Sequence, residues 1–117
     1  MKSIFLALGF LAVLVSAGAL FSTPVSAGCS TDRCINEVDA LFISATGVRL
    51  TTEGDESSLN CTLQSGLYLT LGLSHPNYDA LVAMLITAYQ THEIINIRIV
   101  ENTPNCEVSY VLVNRYQ

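Results

Sequence analysis

Apolar and polar residues alternate along several short stretches of this chain, as they do in β-strands with one buried face. The stretch Val38–Ser44 carries large apolar residues at both odd and even positions, so we predict a strand buried on both sides. Residues 48–53, 59–64 and 67–71 alternate more strictly, with polar or glycine-containing segments between them. The pattern therefore predicts four strands joined by turns.

The hydrophobic period changes at Pro76, beyond which apolar residues recur every three or four positions. Proline suits the first position of a helix, and Ser74 or His75 can provide the cap. We therefore predict one helix over residues 76–90.

Alternation resumes in residues 95–99 and 106–112, on either side of a turn that contains Pro104. The predicted order is four strands, one helix and two strands. The sequence thus predicts a β-rich α+β domain of about six strands.

The predicted helix is apolar on more than one side. Ala80, Ala83, Met84 and Ile86 occupy positions that would face water in an ordinary surface helix. Self-association through these residues would cover them, which makes them a candidate oligomer interface. The alternative is that the strands wrap around most of the helix.

The start of the chain has the three-part layout of a secretory signal peptide. Lys2 supplies the positive charge, residues 4–20 are almost wholly apolar, and small residues occupy 25–27. We therefore predict a signal peptide over residues 1–27 and a single mature domain over 28–117. The protein would be secreted or periplasmic, with no membrane insertion once the signal is removed.

Removing the predicted signal also removes the only lysine. Four arginines then face ten acidic residues, which gives a net charge near −6. A chain of this charge repels phosphate backbones, so nucleic acid is excluded as an expected partner.

All four cysteines, Cys29, Cys34, Cys61 and Cys106, lie in the predicted mature part, and an even number in a small exported chain indicates disulfides. Three pairings are possible. Because Cys29 and Cys34 are close in sequence, we predict one local bridge between them and one long-range bridge between Cys61 and Cys106. A zinc site of four thiolates is disfavoured, since the paired close spacings of such sites are missing.

The remaining candidate chemistry is that of binding rather than catalysis. His75 and His92 are the only histidines, and neither lies in a metal-binding spacing or a nucleophile motif. We therefore expect no enzyme activity, metal or cofactor. Arg49, Tyr68 and Thr70 alternate outward on the predicted strands and are the candidate ligand contacts.

The stretch 78–91, together with the strands 94–100 and 107–113 that follow, resembles the B subunits of cholera, Shiga and pertussis-like bacterial toxins. The resemblance implies an OB-fold, the small barrel that binds oligonucleotides or oligosaccharides, with the helix inserted between a meander and a closing hairpin. It further implies a ring, commonly a pentamer, with helices at the centre and strands paired between neighbouring subunits. A glycan and an enzymatic A-type chain would then be the partners.

The sequence departs from these toxin subunits because it has no tryptophan, on which several of their sugar sites stack a ligand. Two hypotheses follow. In the first, the protein is an oligomeric binding module that recognises a glycan or a partner protein. In the second, it is a structural or accessory envelope protein of the same fold without a sugar site.

Overall fold

The computed structural model describes residue 18 and residues 28–115. The predicted signal peptide, apart from Gly18, and the last two residues lie outside this part of the chain. The elements of the described part are β1 Gly28–Cys29, β2 Arg33–Asn36, β3 Val38–Ser44, β4 Gly47–Thr52, a short 3-10 helix Glu56–Ser58, β5 Leu69–Gly72, α1 Tyr78–Thr91, β6 Ile95–Ile99 and β7 Val108–Leu112.

Residues 28–115 form two antiparallel sheets and one α-helix. One sheet has the strand order β1-β2-β6-β7, and the other has the order β3-β4-β5. Glu37 alone separates β2 from β3, so the chain passes almost directly from the first sheet into the second. The predicted β-rich α+β class is confirmed.

The two sheets also approach each other at the start of β7. The backbone N–H of Thr70 donates to the carbonyl of Cys106 at 3.0 Å, within a single parallel bridge that joins Thr70 and Glu107. One bridge is not a strand ladder, and the sheets of the described part do not close into a barrel. The predicted closed barrel of six strands is therefore not confirmed.

The core lies where the inner faces of both sheets meet the helix. Period-two alternation directs one face of each strand inward, and Leu50, Leu69 and Ile97 on these faces have no exposed surface. Helical spacing brings Leu81 and Leu85 onto the side of α1 that packs against them. Burying a side chain of this size contributes about 1.5–3 kcal/mol, so these residues dominate the stability of the fold.

One of the predicted strands is wrong. Residues 59–64 alternate but form no strand, because their backbone groups bond to distant loops: Asn60 N–H donates to the Thr31 carbonyl at 2.8 Å, and Thr62 N–H donates to that of Thr103 at 3.1 Å. The alternation instead reflects separate anchors such as Leu59, which is 5% exposed. The short strands β1 and β2 were not predicted.

Strand β3 has the predicted bounds, but it is not buried on both sides. Within the described sheet it pairs only with β4, so it lies at an edge, and Phe42 and Ile43 are 55% and 50% exposed. Helix α1 contacts β3 without covering either side chain. The structure thus leaves large apolar groups on an open strand.

The helix begins later than predicted, at Tyr78, because Pro76 lies in the turn that precedes it. His75 organises this turn: its Nδ1 accepts a hydrogen bond from Asn77 N–H at 3.0 Å. The ring proton must then lie on Nε2, which donates to the Ser109 carbonyl at 2.7 Å. His75 thereby ties the start of α1 to β7.

Both predicted disulfides are confirmed. Cys29 and Cys34 lie directly opposite each other on β1 and β2. Cys61 and Cys106 join the irregular segment after β4 to the residues just before β7. Two disulfides in so small a domain are consistent with an extracellular or otherwise oxidising compartment.

Candidate binding face

The antiparallel register of the three-stranded sheet places Phe42, Arg49 and Thr70 in one row across its outer surface. Phe42 lies opposite Arg49 in the β3–β4 pair, and Arg49 lies opposite Thr70 in the β4–β5 pair. Because successive side chains point to opposite faces, the neighbouring leucines Leu50 and Leu69 point inward and are fully buried. We call this set of three residues the transverse row.

The first two residues of the transverse row form a cation–π pair. The guanidinium carbon of Arg49 lies 5.7 Å from the centre of the Phe42 ring, within the range of attraction between a cation and an aromatic face. Arg49 makes no salt bridge within the described residues. No carboxylate of residues 28–115 therefore holds its donors in an ion pair.

A tight loop positions the other end of the row. Thr70 Oγ1 donates to Gln64 Oε1 at 2.9 Å. The backbones of Gln64 and Tyr68 exchange hydrogen bonds at 2.9 and 3.0 Å, and Ser65 and Gly66 complete the turn with positive φ angles. Alternation from Thr70 places Tyr68, which is partly buried, on the same side of the sheet.

The structure therefore brings together all three predicted ligand contacts, Arg49, Tyr68 and Thr70. Sequence reasoning missed Phe42, the most exposed member of the group. Its signal in the sequence was ambiguous, because residues 40–43 are all apolar and conceal which side of the strand faces water. The resulting surface combines two aromatic rings, a guanidinium and two hydroxyl groups.

The candidate helix interface divides into two parts in the structure. Ala80 and Ala83 are exposed, whereas Met84 and Ile86 are partly buried, and Met84 packs against the core. Thr87 Oγ1 donates to the Ala83 carbonyl at 2.9 Å, so its hydroxyl is satisfied within the helix and does not need water. The exposed side of α1 thus includes a strip of small residues, Ala80, Ala83 and Thr87.

Apolar groups also lie exposed on β7, at the edge of the four-stranded sheet within the described chain. Tyr110 and Leu112 are 46% and 45% exposed, and the Tyr110 ring lies 5.9 Å from the Arg98 guanidinium carbon. Arg98 is held by Asp32 at 2.8 Å, and the hydrogen bond from Arg33 is the main cause that lowers the pKa of the Asp32 carboxyl. This aromatic–arginine pair is therefore fixed by a carboxylate, unlike the pair of Phe42 and Arg49.

Within the described residues, the cysteines and histidines are engaged in other contacts. Every cysteine there is in a disulfide, and the ring nitrogens of His75 bond to backbone groups. His92 pairs with Glu37 at 3.4 Å. No group of three or more His, Cys, Asp or Glu in residues 28–115 could hold a metal ion.

One further finding concerns the described helices, and another concerns the similarity of the chain to known proteins. None of the helices in the described part has the length and apolar character needed to cross a membrane. Comparisons with protein-family models, curated proteins and solved structures find no match to this chain.

Proposed function

We propose that the mature chain is an exported, non-catalytic binding module that self-associates and recognises a glycan through the transverse row and Tyr68. The observation that carries this proposal is the exposed Phe42 ring beside Arg49. An aromatic face accommodates the apolar face of a sugar, and a guanidinium donates to its oxygen atoms. Phe42 would then perform the stacking role for which the chain has no tryptophan.

The proposed fold is a small OB-like barrel similar to the toxin B subunits. Three features support it: the chain crosses from one sheet to the other through Glu37, α1 is inserted between β5 and β6, and the bridge from Thr70 to Glu107 links the sheets at a second place. Together they give two sheets that share a nearly continuous strand.

The proposed site of action lies outside the cytoplasm, after removal of residues 1–27. The two disulfides support this, because such bonds persist in oxidising compartments. The apolar start of the chain supplies the export signal in this proposal.

We expect a glycan array to detect binding by the refolded mature chain, and we expect Phe42→Ala or Arg49→Gln to weaken it about tenfold or more. Each change removes one of the two chemical contacts, the ring or the guanidinium, and residues of these types dominate binding surfaces. The affinity of the best glycan, measured by calorimetry, provides the comparison.

Tyr110→Ala is the matched control for Phe42→Ala, because it removes an aromatic ring that also lies beside an arginine but on the other sheet. It should leave the affinity unchanged. Equal losses from both variants would show that the transverse row is not the site. A wild-type chain that binds no glycan would favour a partner protein or the structural envelope role instead.

Self-association is tested at Ala83. Ala83→Glu places a charge on the exposed side of α1 and should convert the oligomer into a folded monomer. The toxin resemblance implies that this oligomer is a pentamer. Met84→Glu is less informative, because Met84 packs against the core and the charge would also destabilise the fold. Light scattering after size exclusion measures the mass.

Gln90→Glu introduces the same charge at another exposed position of the helix and should leave the oligomer intact. Thermal unfolding of both variants verifies that the monomer domain still folds. A wild-type chain that is already monomeric would contradict self-association, while the glycan proposal would remain to be judged on its own test.

A further inference from the structure

A cavity of about 300 Å³ lies at the C-terminal end of α1, at a different place from the transverse row. It is open to solvent between the end of the helix, the start of β3 and the residue that follows β4. The residues that line it are Val38, Asp39, Glu53, Tyr89, Gln90 and His92. Its volume is at the lower end of the range of small-molecule sites, so a ligand bound there would be small.

Two exposed carboxylates give the cavity its negative charge. Asp39 Oδ2 accepts a long hydrogen bond from Thr51 Oγ1, at 3.4 Å, and Glu53 makes no side-chain hydrogen bond within residues 28–115. Neither is in a salt bridge in that part of the chain, and no arginine lines the cavity. No lysine or arginine side chain among the lining residues therefore balances these two carboxylates.

The helix adds to this field. The C-terminal end of a helix carries a partial negative charge, and the last turn of the 14-residue helix α1 contains no basic residue. His92, just beyond the helix, lies 3.4 Å from Glu37 and 80% of its side chain is exposed. His92 lines the cavity, and its acidic partner within the described residues is Glu37 rather than Asp39 or Glu53.

An aromatic ring completes the lining. Tyr89 is 45% exposed, and the negative face of a tyrosine ring attracts ammonium groups within about 6 Å of its centre. Carboxylates, the helix terminus and the ring therefore all favour the same type of ligand. An anion would be repelled by each of these groups, and a neutral polyol would gain nothing from the field.

We propose that this cavity binds an alkylammonium group, supplied either by a free amine or by a lysine side chain. The ammonium group lies between Asp39 and Glu53, and its carbon chain lies against Tyr89 and Val38. The site is independent of the proposed glycan site, since the two share no residue.

The proposal is tested by titrating the isotope-labelled mature chain with n-butylammonium chloride and, separately, with Nα-acetyl-lysine methylamide. Amide shifts should saturate and should be confined to residues near 38–39, 53 and 89–92. Sodium chloride at equal ionic strength and n-butanol should produce no saturable shift there. Tighter binding of the lysine derivative assigns a peptide side chain as the source, and equal or tighter binding of n-butylammonium assigns a free amine.

The double variant Asp39→Asn with Glu53→Gln should weaken binding of n-butylammonium about tenfold, since both ion pairs are lost. Tyr89→Leu should weaken it by a smaller factor while all charges remain. The double variant Glu101→Gln with Glu107→Gln removes the same charge from exposed positions outside the cavity and is the matched control.

Unchanged affinity in the cavity variant, an equal loss in the control, or the absence of saturable shifts in the wild type would each overturn the proposal. Phe42→Ala should leave this titration unaffected. Failure of the glycan site and failure of the ammonium site are therefore separate results.

Discussion

Replacing Cys61 and Cys106 with alanine should lower the free energy of unfolding by about 4 kcal/mol, the larger of the two disulfide effects. The bridge spans 45 positions, and in the chain-entropy model a longer loop restricts the unfolded state more. Small domains are stable by about 5–15 kcal/mol in total, so this loss is a large fraction. Urea unfolding of the mature chain measures it.

The native structure gives a second reason for this effect. The segment 59–64 belongs to no strand and is held by backbone bonds to Thr31 and Thr103 in addition to the disulfide. Without the bridge, the segment can detach and expose Leu59, which is 5% exposed in the native fold. We therefore expect the segment to become sensitive to proteases in the same variant.

The matched control is the replacement of Cys29 and Cys34 with alanine. This bridge spans five positions, so the expected loss is about 2 kcal/mol. Peptide mapping without reductant verifies the pairing in the wild type. Equal losses from the two double variants would contradict the loop-length argument, and a peptide that links Cys29 to Cys61 or Cys106 would contradict the structure itself.

Most of the regular elements could be predicted from the sequence, because the hydrophobic period is a local property. Strand β6 and helix α1 follow from alternation at Ile95, Ile97 and Ile99 and from helical spacing after Pro76. Strands β1 and β2 could not be predicted in the same way. They have two and four residues, and β2 is stabilised by pairing with β6, more than fifty positions away.

The opposite error at residues 59–64 has a related cause. Leu59 alternates with polar neighbours because it occupies the core, not because its backbone belongs to a sheet. A side-chain pattern reports which residues are buried, whereas strand formation depends on the partners of the backbone N–H and C=O groups. Those partners here are loops that the local sequence does not identify.

The candidate site was predictable to a similar degree. Arg49, Tyr68 and Thr70 follow from outward alternation, and the register then aligns Arg49 with Thr70. Phe42 could not be placed, since its exposure depends on β3 lying at the edge of its sheet. Edge position is a property of the strand order, and the strand order is decided by contacts across the whole domain.

Replacing Gly47 with alanine should destabilise the protein by about 3 kcal/mol and disorder the transverse row. Gly47 has a φ of +135°, and a Cβ atom there would lie 2.5 Å from the carbonyl oxygen of Leu71. That oxygen belongs to the backbone of β5, so relief of the contact requires β4 and β5 to move apart. The movement would separate Arg49 from Thr70, which these strands align.

Gly66→Ala separates the effect of the φ angle from that of the contact. Gly66 also has a positive φ, +72°, but a Cβ atom there would meet nothing within 4 Å. The expected cost is only about 1 kcal/mol, the strain of a left-handed residue. Urea unfolding should therefore show a larger loss of stability in Gly47→Ala than in Gly66→Ala, and glycan binding should be lost only in Gly47→Ala. Equal destabilisation of the two variants would mean that the approach of Leu71 to Gly47 does not constrain the sheet.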